Sequence, residues 1–367
     1  MWYEVLPHTT IDYSIVFQLV NSEIPLDELS HTKTPSAKQS YQYVRRRKLG
    51  ERMPRRTIID TDTGVDDTAA ILLALASPEL SVDALTIVFG NGEVQVCTQN
   101  ALTVLEIAGR EEIPVYTGVN KPLMRNINYG YHVHGSNAFG GVVYDPPCRR
   151  AQPEHAISAI INGIMSHPGE VTLVALGPLT NVALALSIEP HLAQNMKELV
   201  LMGGAVLTFG NISPVASANL FYDPESAAIV YQSGAPITQV GLDVCRKIVY
   251  GREEFAQIER AGTPTTNMLA KITPHLAQFY QKGKTFPKDG YVSYNDVPAI
   301  AYLIDPGLFD AHQYNVRIST HDELTRGETV ADVADIHQQP PNAQVLMDVN
   351  AAALKKLFLE RVTQYHD

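Results

Sequence analysis

The sequence predicts an α/β protein: a mainly parallel open sheet with helices on both faces, in a single domain. Three observations carry this. From residue 57 onward, short apolar runs alternate with stretches of good helix formers, the pattern of a parallel sheet covered by helices. The composition is 45% apolar and 18% charged, with no repeats or low-complexity tracts, so the chain is globular rather than disordered. Its 367 residues would accommodate two average domains, but α/β enzymes of this length often form one.

The elements follow in order. Residues 57–62 (TIIDTD) read as a buried strand and 66–76 as a helix. Strand 82–90, helix 96–108 and a short strand at 114–116 come next. Strands at 171–176, 199–202 and 237–242 alternate with helices beginning at 179 and 224. Strands at 315–319 and 345–347 close the pattern, with Asn350 as the cap of a last helix at 351–362. Residues 250–300 are more helical, and the Lys/Gly/Pro-rich stretch 281–290 reads as a loop suited to a lid.

Residues 1–55 stand apart as a leader, poorly ordered or peripheral, before a domain at 56–367. The first 56 residues hold nine Lys/Arg against six Asp/Glu, clustered at Arg45, Arg46, Arg47, Lys48, Arg52, Arg55 and Arg56. The plain reading of such a run is a solvated segment; the sharper one is a localisation or anion-binding arm. The whole chain carries a net charge of −11, which argues against nucleic acid or an anionic membrane as partner. Cys97, Cys148 and Cys245 form no CxxC pair, so neither a disulfide framework nor a zinc-thiolate site is expected, and a reducing, cytoplasmic setting fits. No apolar run reaches the ~20 residues of a spanning helix, and Glu4 and Asp12 interrupt any signal-peptide pattern.

Ligands of open α/β sheets bind beyond the carboxyl ends of the strands. Those ends supply Asp60, Asp62, Asn91, Leu176, Met202 and Asp243, with glycines after Leu176 and Met202 that let a ligand approach the backbone. The densest chemistry is DTDTGVDD, four carboxylates within residues 60–67. Like charges this close raise one another's pKa. A helix N-terminus relieves such repulsion by only ~1 kcal/mol, so a bound hard cation is the natural compensation, and oxygen-only ligands favour calcium or magnesium over zinc. An EF-hand fails, because the sixth and twelfth positions from Asp60 are Val65 and Ile71. A haloacid-dehalogenase-type phosphatase fits poorly, since the second acidic pair follows at once on the next helix. Gly90-Asn91-Gly92 lacks the third glycine of a dinucleotide fingerprint, and no P-loop or GxSxG elbow is present.

At DTDTGVDDTAAI the chain resembles the nucleoside hydrolases of the inosine–uridine-preferring type. Further segments match in the same order: Gly90-Asn91, His134-Gly135, ALGPLTNVALAL at 175–186, LVLMGGA at 199–205, GNISPVASAN at 210–219, DPESA at 223–227 and NDVPA at 295–299. The likeness spans residues 56–362. It implies a Rossmann-like α/β fold and one calcium ion in a deep pocket. It also implies hydrolysis of ribonucleosides to free base and ribose, by a homodimer or homotetramer. By this resemblance Asp62 is both a calcium ligand and the general base. Asp67, Asp296 and the Leu176 carbonyl complete the metal site. Asp66, Asn91, Asn211 and Asn219 take ribose hydroxyls, Met202 packs under the sugar, His134 lies near the base, Asn295 stands on the base side, and Asp60 supports from behind. The chemistry agrees: an N-glycosidic bond breaks through a cationic, oxocarbenium-like ribosyl group, which carboxylates favour.

Two positions depart from the family pattern. Ser217 stands where the family has Glu, and Asn295 where it has His. Serine supplies no charge, and an amide is no general acid near neutral pH. A member that binds ribosides with calcium but turns over poorly is therefore the alternative, and a metal-dependent phosphatase a more distant one. The tryptophans of the purine-preferring branch are missing, the sole Trp being Trp2. Phe279, Tyr280, Phe286, Tyr291 and Tyr294 are the aromatic candidates for stacking on a base.

Overall fold

A computed structural model describes residues 53–365, so the expected leader, apart from its last residues, lies outside the described residues. The central sheet is built from β1 (Arg55–Thr61), β2 (Leu80–Ile87), β3 (Val115–Thr117), β4 (Val171–Ala175), β5 (Glu198–Met202) and β6 (Ile237–Val240). Two small antiparallel pairs sit outside it: β7 (Tyr250–Gly251) with β8 (Gly290–Val292), and β10 (Val316–Ile318) with β11 (Thr329–Ala331). Later in the chain, β9 (Phe309–Tyr314) and β12 (Ala343–Val349) join the central sheet. Its order is β3-β2-β1-β4-β5-β6-β12-β9, parallel throughout except for the β12–β9 pair.

Alternation along each strand explains the three layers. Ile58, Leu173, Leu199 and Leu201 belong to one hydrophobic cluster, and Ile59, Val174 and Val200 to the other. Successive side chains of a strand point to opposite faces, so both faces of this sheet need cover. The helices Ala156–Met165, Thr180–Ile188 and Pro224–Gln232 cover one face. Helices Val65–Leu75, Val94–Ile107, Pro264–Lys282, Val297–Ile304 and Ala351–Thr363 cover the other. This is the predicted α/β architecture.

Three departures refine it. The expected strand at 315–319 becomes β10 in the small ribbon, and the sheet edge is taken by β9, whose residues are mostly exposed and polar. Arg55 and Arg56, read as the end of the basic run, instead open β1 and pair with Glu198 at 3.0 Å and Asp83 at 2.7 Å. The DPESA segment serves the fold: Asp223 caps its helix through the Ser226 N–H and accepts from Thr180 Oγ1 at 2.6 Å and the Leu123 N–H at 3.1 Å. No helix among the described residues is long and apolar enough to cross a membrane.

Candidate active site

The strand order turns outward in opposite directions from β1 and β4. Such a switch point leaves a crevice beyond the carboxyl ends of the two strands. One pocket occupies this edge. Asp62 reaches it from the end of β1, Asn91 from the loop after β2, Leu176 from β4 and Met202 from β5. The same pocket is lined by Asp66, His134, Asn211, Asn219, Asn295 and Asp296. The structure therefore gathers these predicted residues from segments more than 200 positions apart. Asp67 lies just behind the lining, fully buried.

The carboxylates are buried and ordered by donors. Asp67 Oδ1 accepts from Thr61 Oγ1 at 2.6 Å, and its Oδ2 accepts from the Gly64 N–H at 2.9 Å and Asn91 Nδ2 at 2.8 Å. Asp62 Oδ2 accepts the Asn91 N–H at 2.7 Å. Asn91 thus orients two acids as well as facing the pocket. Asp296 precedes helix Val297–Ile304 but its side chain makes no capping bond, leaving the carboxylate available to the site. Burial raises the carboxyl of Asp66 to about 6, and burial with the neighbouring acids pushes Asp62 and Asp296 well above the ordinary carboxylate range. Asp60, expected to support the site from behind, is bonded to the scaffold. It does not line the pocket; its Oδ1 accepts from Thr86 Oγ1 at 2.6 Å and Asn181 Nδ2 at 2.8 Å, and burial lifts it to about 7.

The glycines at the strand ends make room for the protein's own groups rather than for ligand. A Cβ on Gly177 would fall 2.8 Å from Asp62 Oδ1, and one on Gly90 2.1 Å from Asp62 Oδ2. The Asp62 carboxylate is held between these two bare backbones. Gly204 adopts a φ of +92°, which only glycine takes readily. Asp243, also read from a strand end, turns away from the pocket and accepts the N–H groups of Val206 and Leu207.

Burial disfavours the charged form of the His134 imidazole and drives its pKa down to about 4. Nδ1 accepts the Val65 N–H at 3.3 Å, which leaves the proton on Nε2. Asn219 Nδ2 donates to the Leu176 carbonyl at 2.5 Å and the Met202 carbonyl at 3.0 Å, tying β4 to β5 at the pocket floor. Asn211 Oδ1 accepts the Ala218 N–H at 2.8 Å, so its amide N–H₂ remains for a ligand. Ser217 is fully buried, and its Oγ accepts the Gly204 N–H at 2.7 Å. It is a backbone support and not a substrate group. We expect Ser217→Ala to lower the unfolding free energy by about 1–2 kcal/mol, the cost of a stranded N–H, with KM for substrate unchanged. Denaturant titration beside steady-state kinetics checks this, and a raised KM at unchanged stability would refute it.

The base-side aromatics sort themselves. Phe279 and Tyr280 line the pocket. Phe286 stacks behind Tyr280 with centroids 4.7 Å apart, which brings the 281–290 loop onto the pocket wall. Tyr291 packs on Phe255, and Tyr294 is buried among Tyr250 and Phe358. Asn295 Nδ2 donates to the Tyr280 hydroxyl at 2.9 Å. This pairing, and the support of Asp60 by Asn181, had no local signal in the sequence.

The residues present suit a hard cation. Carboxylate oxygens of Asp66, Asp67 and Asp296 lie within 4.8 Å of one another, and Asp62 is close enough to raise the pKa of Asp296. Asp66 Oδ1 is buried without a hydrogen-bond partner. Among the described residues no lysine or arginine pairs with any of these acids. Buried acids persist in this state when a metal or ligand compensates them.

Buried carboxylates with amides around them at the strand ends of a parallel sheet make an acid-lined pocket suited to a polar, uncharged or cationic ligand. The family model described as inosine-uridine preferring nucleoside hydrolase matches residues 57–356. An inosine-uridine preferring nucleoside hydrolase of Leishmania major is 38% identical over 299 residues, 81% of this chain and 93% of that protein. A pyrimidine-specific ribonucleoside hydrolase, RihA, of Photobacterium profundum is 38% identical over 85% of this chain and all of its own. The solved purine-preferring ribonucleoside hydrolase from Gardnerella vaginalis superposes with a TM-score of 0.80 at 31% identity, covering 85% of this chain and 99% of that one. The chain belongs to the inosine-uridine preferring nucleoside hydrolase family, a family of N-glycosyl hydrolases.

Proposed function

We propose that the chain hydrolyses the N-glycosidic bond of ribonucleosides with the aid of one calcium ion, releasing free base and ribose. The observation that carries this reading is the pocket of buried carboxylates, in which Asp66 Oδ1 has no hydrogen-bond partner and only the His134 ring 3.6 Å away. Asp62, Asp67, Asp296 and the Leu176 carbonyl would hold the ion, with Asp66 facing the sugar hydroxyls from the same cluster. When bound, calcium supplies Lewis acidity and a template for water and vicinal hydroxyls.

The protein's own groups do the rest. Asp62, one oxygen fixed by the Asn91 N–H, takes the proton of the attacking water. Asn91, Asn211 and Asn219 fix the ribose against Met202, which removes much of the orientational barrier. The ring of carboxylates favours positive charge at the anomeric carbon as the bond to the base breaks. His134, neutral with its proton on Nε2, is a donor toward the substrate. The same negative field disfavours a phosphorylated substrate.

The domain boundaries that accompany this reading are a leader at 1–55 and a catalytic domain at 56–367. A cytoplasmic setting agrees with three free cysteines, of which Cys148 is exposed. A homodimer or homotetramer is the assembly proposed with it. The test is release of base and ribose from a nucleoside panel, with and without a calcium chelator. Chelator-sensitive release restored by calcium is expected, and the rank order gives the base preference. Riboside binding in calcium without any release would instead favour the binding-only alternative that Ser217 and Asn295 raise.

A further inference from the structure

The acid at the end of β6 is not spent on the pocket, and its partners point to a different role. Asp243 and Arg246 sit one turn apart at the short helix Leu242–Cys245 that follows β6. Asp243 Oδ2 accepts the Val206 N–H at 2.9 Å and Oδ1 accepts the Leu207 N–H at 2.7 Å. The Arg246 guanidinium donates to the carbonyls of Phe209 at 3.2 Å and Gly210 at 2.7 Å, and lies 3.7 Å over the Phe209 ring. One acid therefore grips the N–H groups entering a loop, and one base grips the carbonyls leaving it. The next residue is Asn211, which lines the pocket.

From this we infer that Asp243 and Arg246 are positioning residues: together they clamp the loop at 206–210 and hold Asn211 at the pocket mouth. The role given to Asn211 rests on the ribonucleoside reading above. Apart from Val206, which packs half-buried against the core, the side chains of the loop do little to fix it. Leu207 and Phe209 are 70% and 46% exposed, so apolar burial contributes little order here. Beyond the clamp, residues 210–216 bond mainly to one another: the Gly210 N–H donates to the Pro214 carbonyl and the Asn211 N–H to the Ala216 carbonyl. The far end of that turn is held by the bridge between Ala216 and Glu328 and by the Ala218 N–H to Asn211 Oδ1, and the clamp sets where its near end, at Gly210, stands. Charge-assisted bonds from a guanidinium and a carboxylate are the stronger kind, and Arg246 presents a fork that a lysine does not reproduce.

The consequence is kinetic. A released loop makes the substrate order Asn211 on binding, a cost that appears in KM more than in kcat. We expect Arg246→Met to raise KM for the best nucleoside roughly tenfold with kcat nearly unchanged, and Asp243→Asn to act in the same direction. A general loss of stability would not produce the second signature: in the Arg246→Met, Asn211→Ala double variant the two effects fail to add, because both remove the same contact. Hydrogen exchange of the amides at 206–212 supplies a readout independent of turnover, and protection is expected to fall in both clamp variants. Unchanged KM, or effects that add fully with Asn211→Ala, would overturn the proposal. If the unaltered chain releases no base from any nucleoside, the ribonucleoside reading fails. The clamp is then judged by exchange alone: lost protection in Arg246→Met upholds it, and retained protection overturns it.

Discussion

Replacing Asp62 with alanine is expected to lower kcat on every nucleoside by about a thousandfold or more, while the fold survives. The size follows from two roles joined in one group. Loss of a positioned general base alone costs typically ~10²–10⁴ in rate, and this carboxylate is also proposed as a metal ligand. Survival of the fold follows from the electrostatics. Asp62 is buried beside Asp66 and Asp67, and burial and both neighbours push its pKa up. In the metal-free protein, removal of one acid from that cluster relieves the cost of burying it beside the others; against this stands one stranded Asn91 N–H, worth about 1–3 kcal/mol. The two nearly offset, so the thermal midpoint measured in chelator is expected to change by a few degrees at most. Added calcium is expected to stabilise the unaltered protein and to stabilise the variant less, since an ion that binds only the folded state stabilises it. Kinetics and thermal melts with and without calcium check both parts. A variant that keeps more than about a tenth of the activity would remove Asp62 from the role of base.

Asp62 was legible in the sequence because everything that marks it is local. A strand end, a turn and a helix start lie within twelve residues, and the turn between them puts the acids of both elements close together. The strand ends at Asn91, Leu176 and Met202 were legible for a related reason: in a parallel sheet all carboxyl ends share an edge, so order along the chain is enough to place them together. What the sequence concealed depends on contacts across the chain. Ser217 gives no hint that it turns inward to the Gly204 N–H. Asp243 was visible as a strand-end acid, but its partners at 206 and 207 come from a neighbouring strand's loop. The edge strand Phe309–Tyr314 escaped because its residues are mostly exposed and polar, and only pairing with β12 makes it a strand. The family likeness located the departures at 217 and 295, and the structure shows what each side chain does instead.

That substitution at 295 leads to the second large effect. Tyr280→Phe is expected to lower kcat on natural nucleosides by about a hundredfold, the lower end for loss of a positioned acid. The departing base leaves as an anion unless a donor meets it, and Asn295 has no proton to give at neutral pH. Its amide instead donates to the Tyr280 hydroxyl oxygen at 2.9 Å, which leaves the phenolic O–H free to point into the pocket. Burial raises the Tyr280 pKa, so the phenol stays protonated across the working pH range. A hydroxyl of that kind stabilises a departing base by a strong hydrogen bond as its charge develops. Asn295→Ala should act through the same oxygen, with a smaller loss and no added effect in the Tyr280→Phe background. An aryl riboside whose phenolate leaves unaided provides the control, since Tyr280→Phe should scarcely slow it. Equal losses on the aryl riboside and on nucleosides would show that Tyr280 shapes the wall with Phe286 behind it and takes no part in departure of the base.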